Sequence, residues 1–292
     1  MKKHFILTFL CFAALAACDK TVTKPDARQI SILADIGETG TKVAYSGNAA
    51  TFEAGDELSL YAWTGNADAV SATRVVDGVK HSLGTDGKWT PETPTLWADM
   101  VSPHYFLGIS PARTVSDFTA DSYTLDPADY AASDLLFAAE FSGLKAQEKP
   151  VSLTFDHALA RLDIELTFRN QWTDTPTVAS VEVTAKKTAT VNYLEKTLTA
   201  TGTASAVALG KQKNAAWSGL QIPQGGLRTL TIRIDGKYYK YTHPTDIPLV
   251  SGKFTTVRLF VGRDKIELAS DITISDWTAG ASINGGEAVD ED

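Results

Sequence analysis

The chain has 292 residues, 43% hydrophobic and 21% charged, the balance of a core-forming protein rather than a disordered one. Its formal net charge is -8, and an acidic chain without Lys/Arg clusters along its sequence disfavours nucleic acid as a partner. The length is enough for about two ordinary domains of roughly 100–150 residues.

The N-terminus carries the most specific signal. Lys2 and Lys3 precede an apolar run, FILTFLCFAALAA, too short to span a bilayer comfortably. The run closes on Leu15-Ala16-Ala17-Cys18, a small-residue cleavage site with a cysteine directly behind it. This arrangement resembles the bacterial lipoprotein signal, which implies cleavage between Ala17 and Cys18 and acylation of Cys18. Several acyl chains anchor stably where one does not. Cys11 would leave with residues 1–17, so no thiol would remain for a disulfide or a cysteine metal site. Loss of Lys2 and Lys3 leaves 25 basic against 35 acidic residues, a net charge of -10. Residues 18–29, polar and containing Pro25, read as a tether.

Short alternating runs follow, separated by turn residues. Strands are expected over Ile30 to Ile36, Lys42 to Ser46, Glu57 to Trp63, His104 to Ile109 and Asp134 to Ala138. Val151, Leu153 and Phe155 then alternate with polar residues, as do Leu162, Ile164, Leu166 and Phe168. Between those two strands HALAR has helix-forming composition, and Asp156 is placed to cap one helical turn. The polar patch Arg169 to Thr177 interrupts the pattern. Beyond it, strands are expected around Val181 and Val183, over Leu230 to Ile234, over Lys237 to Tyr241, over Val257 to Val261 and around Ile272 and Ile274. Asp235-Gly236 offers a two-residue type I′ hairpin turn. No long amphipathic helix is expected after Cys18. Many short strands with regular turns predict an all-β protein of two tandem antiparallel β-sandwich domains, residues 30–170 and 171–292.

Motifs for chemistry are sparse. His81, His104, His157 and His243 are isolated, and His4 lies in the leader. There is no HExxH, EF-hand loop, Walker loop, GxGxxG or GxSxG, so neither a metal nor a cofactor is expected. Asp156-His157 reads as a strand corner with a buried imidazole hydrogen bond, not as part of a triad. The chain is expected not to be an enzyme. The six tryptophans, Trp63, Trp89, Trp97, Trp172, Trp217 and Trp277, are read as core and loop plugs; an exposed row of them would instead suit a glycan.

Four blocks carry a family resemblance: ATFEAGDELSLYAW from Ala50, DLLFAAEFSGLKAQEKPVSLTFDHALARLDIEL from Asp134, PLVSGKFTTVRLFV from Pro248, and TISDW from Thr273. Together with LAAC they resemble the fimbrillin lipoproteins of Bacteroidetes-type bacteria, subunits of type V pili and related surface proteins. The resemblance implies two transthyretin-like sandwiches, location on the cell surface at the outer membrane, and assembly with other fimbrillin subunits by donor-strand exchange. It also implies a proteolytic cut after a basic residue behind the first strand. In this sequence that residue is Lys42, with Val43 the new N-terminus, although the family favours arginine there. The tail TAGASINGGEAVDED after Trp277 is Gly-rich and acidic, unlike an alternating donor strand, which points to a tip, accessory or permanently anchored member. The resemblance implies a host or bacterial surface glycan or protein as ligand. The alternative is a glycan-binding outer-membrane lipoprotein.

Overall fold

The computed structural model describes residues 28–37, 51–68, 70, 73–211 and 216–276. Ala17, Cys18, Lys42, Val43, the strand expected at 42–46, Trp277 and the acidic tail lie outside the described residues.

The described chain is all-β apart from one four-residue helix. In order it forms β1 (Ile32–Ile36), β2 (Glu57–Thr64), β3 (Val76–Leu83), β4 (Trp89–Pro91), β5 (His104–Ser110), β6 (Asp121–Thr124), α1 (Tyr130–Ser133), β7 (Leu136–Leu144), β8 (Val151–His157) and β9 (Ala160–Phe168). The second half adds β10 (Val178–Ala185), β11 (Thr188–Asn192), β12 (Thr197–Thr201), β13 (Ser205–Ala208), β14 (Gly210–Lys211), β15 (Trp217–Gln221), β16 (Thr229–Ile234), β17 (Lys237–Thr242), β18 (Lys253–Val261), β19 (Ile266–Leu268) and β20 (Thr273–Asp276).

A seven-stranded sheet runs β1-β8-β7-β5-β2-β3-β4. Three further sheets run β13-β10-β16-β17, β12-β11-β6 and β14-β15-β9-β18-β19, with β20 also on β18. Most pairings are antiparallel, but β1 lies parallel to β8 and β18 parallel to β9. Both parallel pairs join strands far apart in sequence, where the long crossover that a parallel pair needs is available.

The seven-stranded sheet rolls until its two ends meet. Ile30 N donates to Thr95 O at 2.8 Å and Trp97 N to Arg28 O at 2.8 Å, so the residues ahead of β1 hydrogen-bond to those beyond β4. Inside this roll lies one core, with Ile30, Ile32, Leu58, Leu60, Phe106 and Phe155 among its members. The other face of the same sheet is not free. Tyr61, Trp63, Leu107, Ile109 and Phe137 join a second core with Val181, Leu230, Ile232 and Val257 of the other sheets. Every residue from Leu58 to Trp63 is therefore buried, although alternation alone suggested one wet face.

One stretch departs from the sequence reading. The helical turn expected at HALAR is absent: Ala158 and Leu159 form only a bend, and Asp156 lies within β8 opposite Phe137 instead of capping a helix. The backbone finds distant partners there, with Ala158 N donating to Leu135 O and Gly252 N to Leu159 O. The bend also carries the chain from the seven-stranded sheet to the six-stranded one. The type I′ turn is present, with φ 47 at Asp235 and 82 at Gly236 joining β16 to β17.

Candidate functional site

β1 is the first described strand and sits at an end of its sheet. Its sequence, ILADI, alternates as the residues require: Ile32 is 5% exposed, Leu33 is 50% exposed, and Ala34 and Ile36 are half-buried. The inward set meets β8 in register, Ile32 opposite Val151, Ala34 opposite Leu153 and Ile36 opposite Phe155. Val151 N donates to Ser31 O at 2.8 Å and Gly37 N to Phe155 O at 2.9 Å, closing both ends of the pairing.

The floor beneath β1 is built to be apolar and close-packed. Phe155 meets Phe52 edge-on at 5.2 Å between centroids. It also lies over Gly108 of β5, where a Cβ would fall 2.6 Å from the Phe155 ring. Only glycine lets the ring settle there. Past Ile36 the surface opens into a cleft of about 430 Å³ whose lining includes Ile36, Phe52, Ser110, Tyr130, Asp134 and Leu136. An apolar strand that pairs along one edge only can be replaced by any segment offering the same alternation and the same backbone groups.

His157 sits where β8 ends, 7% exposed, with Nδ1 2.9 Å from Asp134 Oδ1. Asp134 follows α1, whose first turn is capped by Asp129 Oδ1 accepting from Ala132 N at 3.0 Å. The carboxylate thus ties the end of the helix to the end of β8. The other histidines also bond locally, His81 Nδ1 to Val79 O at 3.0 Å and His104 Nδ1 to Ser102 O at 3.0 Å, while Tyr241 Oη lies 2.8 Å from His243 Nδ1. Among the described residues no three of His, Cys, Asp or Glu gather closely enough to hold a metal ion, and no helix is long and apolar enough to cross a membrane.

The tryptophans do not form an exposed row among the described residues. Trp63, Trp97 and Trp217 are buried. Trp89 packs edge-on against Phe52 at 5.1 Å, and Trp172 Nε1 donates to Val261 O at 2.9 Å. Three features were missed in the sequence: α1, the Asp134 partner of His157, and the parallel seat of β1. The run YAAS behind the capping Asp129 could have signalled the helix; nothing local signals the other two.

A sequence profile described as fimbrillin-like matches residues 41–277. A search of curated protein sequences returns no match. Among solved structures, a proposed cell adhesion protein of Bacteroides uniformis superposes with a TM-score of 0.65 at 20% identity, covering 86% of this chain and 98% of that one. A similar protein of Bacteroides ovatus gives 0.66 at 16% identity, covering 87% and 99%. The tip fimbrial protein Mfa3 of Porphyromonas gingivalis, C-terminally truncated, gives 0.50 at 14% identity, covering 77% and 95%. At these identities the neighbours speak to fold alone; the profile spans most of the sequence, from just before β2 through β20, and by that match the chain belongs to the fimbrillin-like family.

Proposed function

We propose that this protein is a lipoprotein of the outer-membrane surface, acylated at Cys18, that serves as a tip or accessory subunit of a fimbria assembled by β-strand exchange. The observation that carries the proposal is β1. It supplies Ile32, Ala34 and Ile36 to an apolar seat, pairs only with β8 among the described residues, and lies in sequence between the acylated Cys18 and the candidate cut at Lys42. One cut between Lys42 and Val43 would separate β1 and the lipid together from the rest of the chain. Departure of β1 would leave Val151, Leu153 and Phe155 without their neighbours, a slot that a second subunit's extended segment would fill.

The acidic tail supports a tip or accessory role. Its apolar residues Ala279, Ala281, Ile283, Ala288 and Val289 are interrupted by glycines, and it ends Asp290-Glu291-Asp292. Carboxylates buried in an apolar slot without partners are costly. The test is to cleave purified protein after Lys42 and incubate it alone and with a synthetic alternating apolar peptide. The expected result is displacement of β1 by the peptide and no self-made ladders resistant to mild denaturant. Ladders that vanish on deleting residues 278–292 would make the protein a stalk subunit, and a β1 that no peptide displaces would end the exchange reading. Mass spectrometry of the native N-terminus separates acylated Cys18 from a free Val43.

A further inference from the structure

The sequence shows no cluster of basic residues, yet the fold makes one. β17 brings Lys237 and Lys240, and the turn between β18 and β19 brings Arg263 and Lys265, to the two walls of a cleft of about 280 Å³. Asp264 is the one carboxylate among the residues lining it. Four cations to one acid is a local reversal of a chain whose net charge is -8.

The cleft also presents an aromatic ring. Tyr238 is 69% exposed, the most exposed aromatic side chain among the described residues. The hairpin register sets Arg233 opposite Tyr238, and the guanidinium stands 5.5 Å from the ring centroid. That contact holds the ring without covering it. The opposite wall is fixed too. Tyr239 Oη donates to Arg263 O at 3.2 Å, Arg263 donates to Thr173 Oγ1 at 3.3 Å, and its guanidinium lies 5.6 Å from the Trp172 ring centroid. Lys265 is held by Glu267. Lys237 and Lys240 are exposed on β17 and enter no ion pair among the described residues.

We infer that this cleft binds an anionic saccharide, one whose sugar ring carries sulfate or carboxylate groups. The reading goes beyond strand exchange and does not depend on it, because the cleft is formed by the other end of the chain. A sugar ring would stack its C–H face on the exposed Tyr238, and the ammonium and guanidinium groups would pair with its anionic substituents. The volume is just below the range of ligand pockets, roughly 300–1,000 Å³, which suits one or two units of a longer chain lying partly in solvent. Lysines on an edge strand such as β17 also deter edge-to-edge pairing, but that role needs neither a cleft nor a stacked ring. An acidic peptide, including this chain's own Glu287 to Asp292, would use the lysines and leave Tyr238 idle. The ring and the cations together favour the sugar.

The experiment is calorimetric titration of the full-length protein with a heparin-derived tetrasaccharide, its desulfated and carboxyl-reduced counterpart, and the peptide EAVDED. Saturable binding of the charged tetrasaccharide alone is expected, weakening about tenfold or more from 50 to 200 mM salt. The double variant Lys237→Gln/Lys240→Gln and the single variant Tyr238→Ala should each weaken it about tenfold with an unchanged melting temperature, while Tyr238→Phe should bind as the native protein does. Failure of the charged tetrasaccharide to bind, or equal binding by Tyr238→Ala, would overturn the inference. Preferential binding of the peptide would also overturn it, marking the cleft as a protein interface.

Discussion

His81 occupies a position that disfavours its charged form. The side chain is 1% exposed in the roll, its Nδ1–H donates to Val79 O, and its Nε2 has no partner among the described residues. Burial holds its pKa below the ordinary value of 6.5. The unfolded chain therefore takes up a proton at a higher pH than the folded one does. Stability is complete above about pH 6.5 and falls as the pH drops below it, down to the folded pKa. Thermal midpoints at pH 7.5 and 5.5 should show the native protein losing more than a His81→Leu variant; equal losses would mean that His81 does not set the slope. His157 is a different case. Its role as a buried, hydrogen-bonded strand corner was legible from the alternation on either side, but its partner Asp134 lies 23 residues earlier and only the fold brings it near.

Strand identity was legible wherever one face is wet and the other dry. β8 alternates strictly from buried Val151 to buried His157, as its sequence suggests. The failure at HALAR has a specific cause. A single helical turn carries the nucleation penalty with almost no propagation to offset it. Hydrogen bonds from Ala158 to Leu135 and from Gly252 to Leu159 satisfy the same backbone groups without a helix. Propensity was outweighed by partners remote in sequence. β1 gives the corresponding prediction. Ile32 is seated in the core and Leu33 faces outward at 50% exposure, though they are adjacent and similar in size. In urea unfolding, Ile32→Ala should cost about 2–4 kcal/mol, whereas Leu33→Ala should stay within about 0.5 kcal/mol. Equal costs would show that β1 is not held through its inward face.

The polar patch at 169–177 carries no strand among the described residues. The fold nevertheless ties the parts on either side of it together. β9 precedes the patch, yet its neighbours β15 and β18 lie 49 or more residues after its end, a pairing that no local pattern announces. β6 pairs with β11 across the same divide. The connection ahead of β6 is fixed to both sides. Tyr61 Oη accepts from Val115 N at 2.7 Å, while Asp121 receives Arg113 at 3.0 Å and the Tyr193 hydroxyl at 2.8 Å. Tyr193 itself is fully buried and edge-on to Phe137 at 5.5 Å. Tyr61, Trp63, Leu107 and Ile109 all belong to the second core. Unfolding either half alone would expose this shared apolar surface and leave β9 or β6 without a ladder partner. The two halves should therefore melt together, with a calorimetric enthalpy equal to the van't Hoff enthalpy. A fragment ending at residue 170 should fail to fold, since β9 would then lack both neighbours. Two resolved transitions, or a folded 28–170 fragment with its own cooperative melt, would mean that the shared core contributes little and that the halves are independent domains after all.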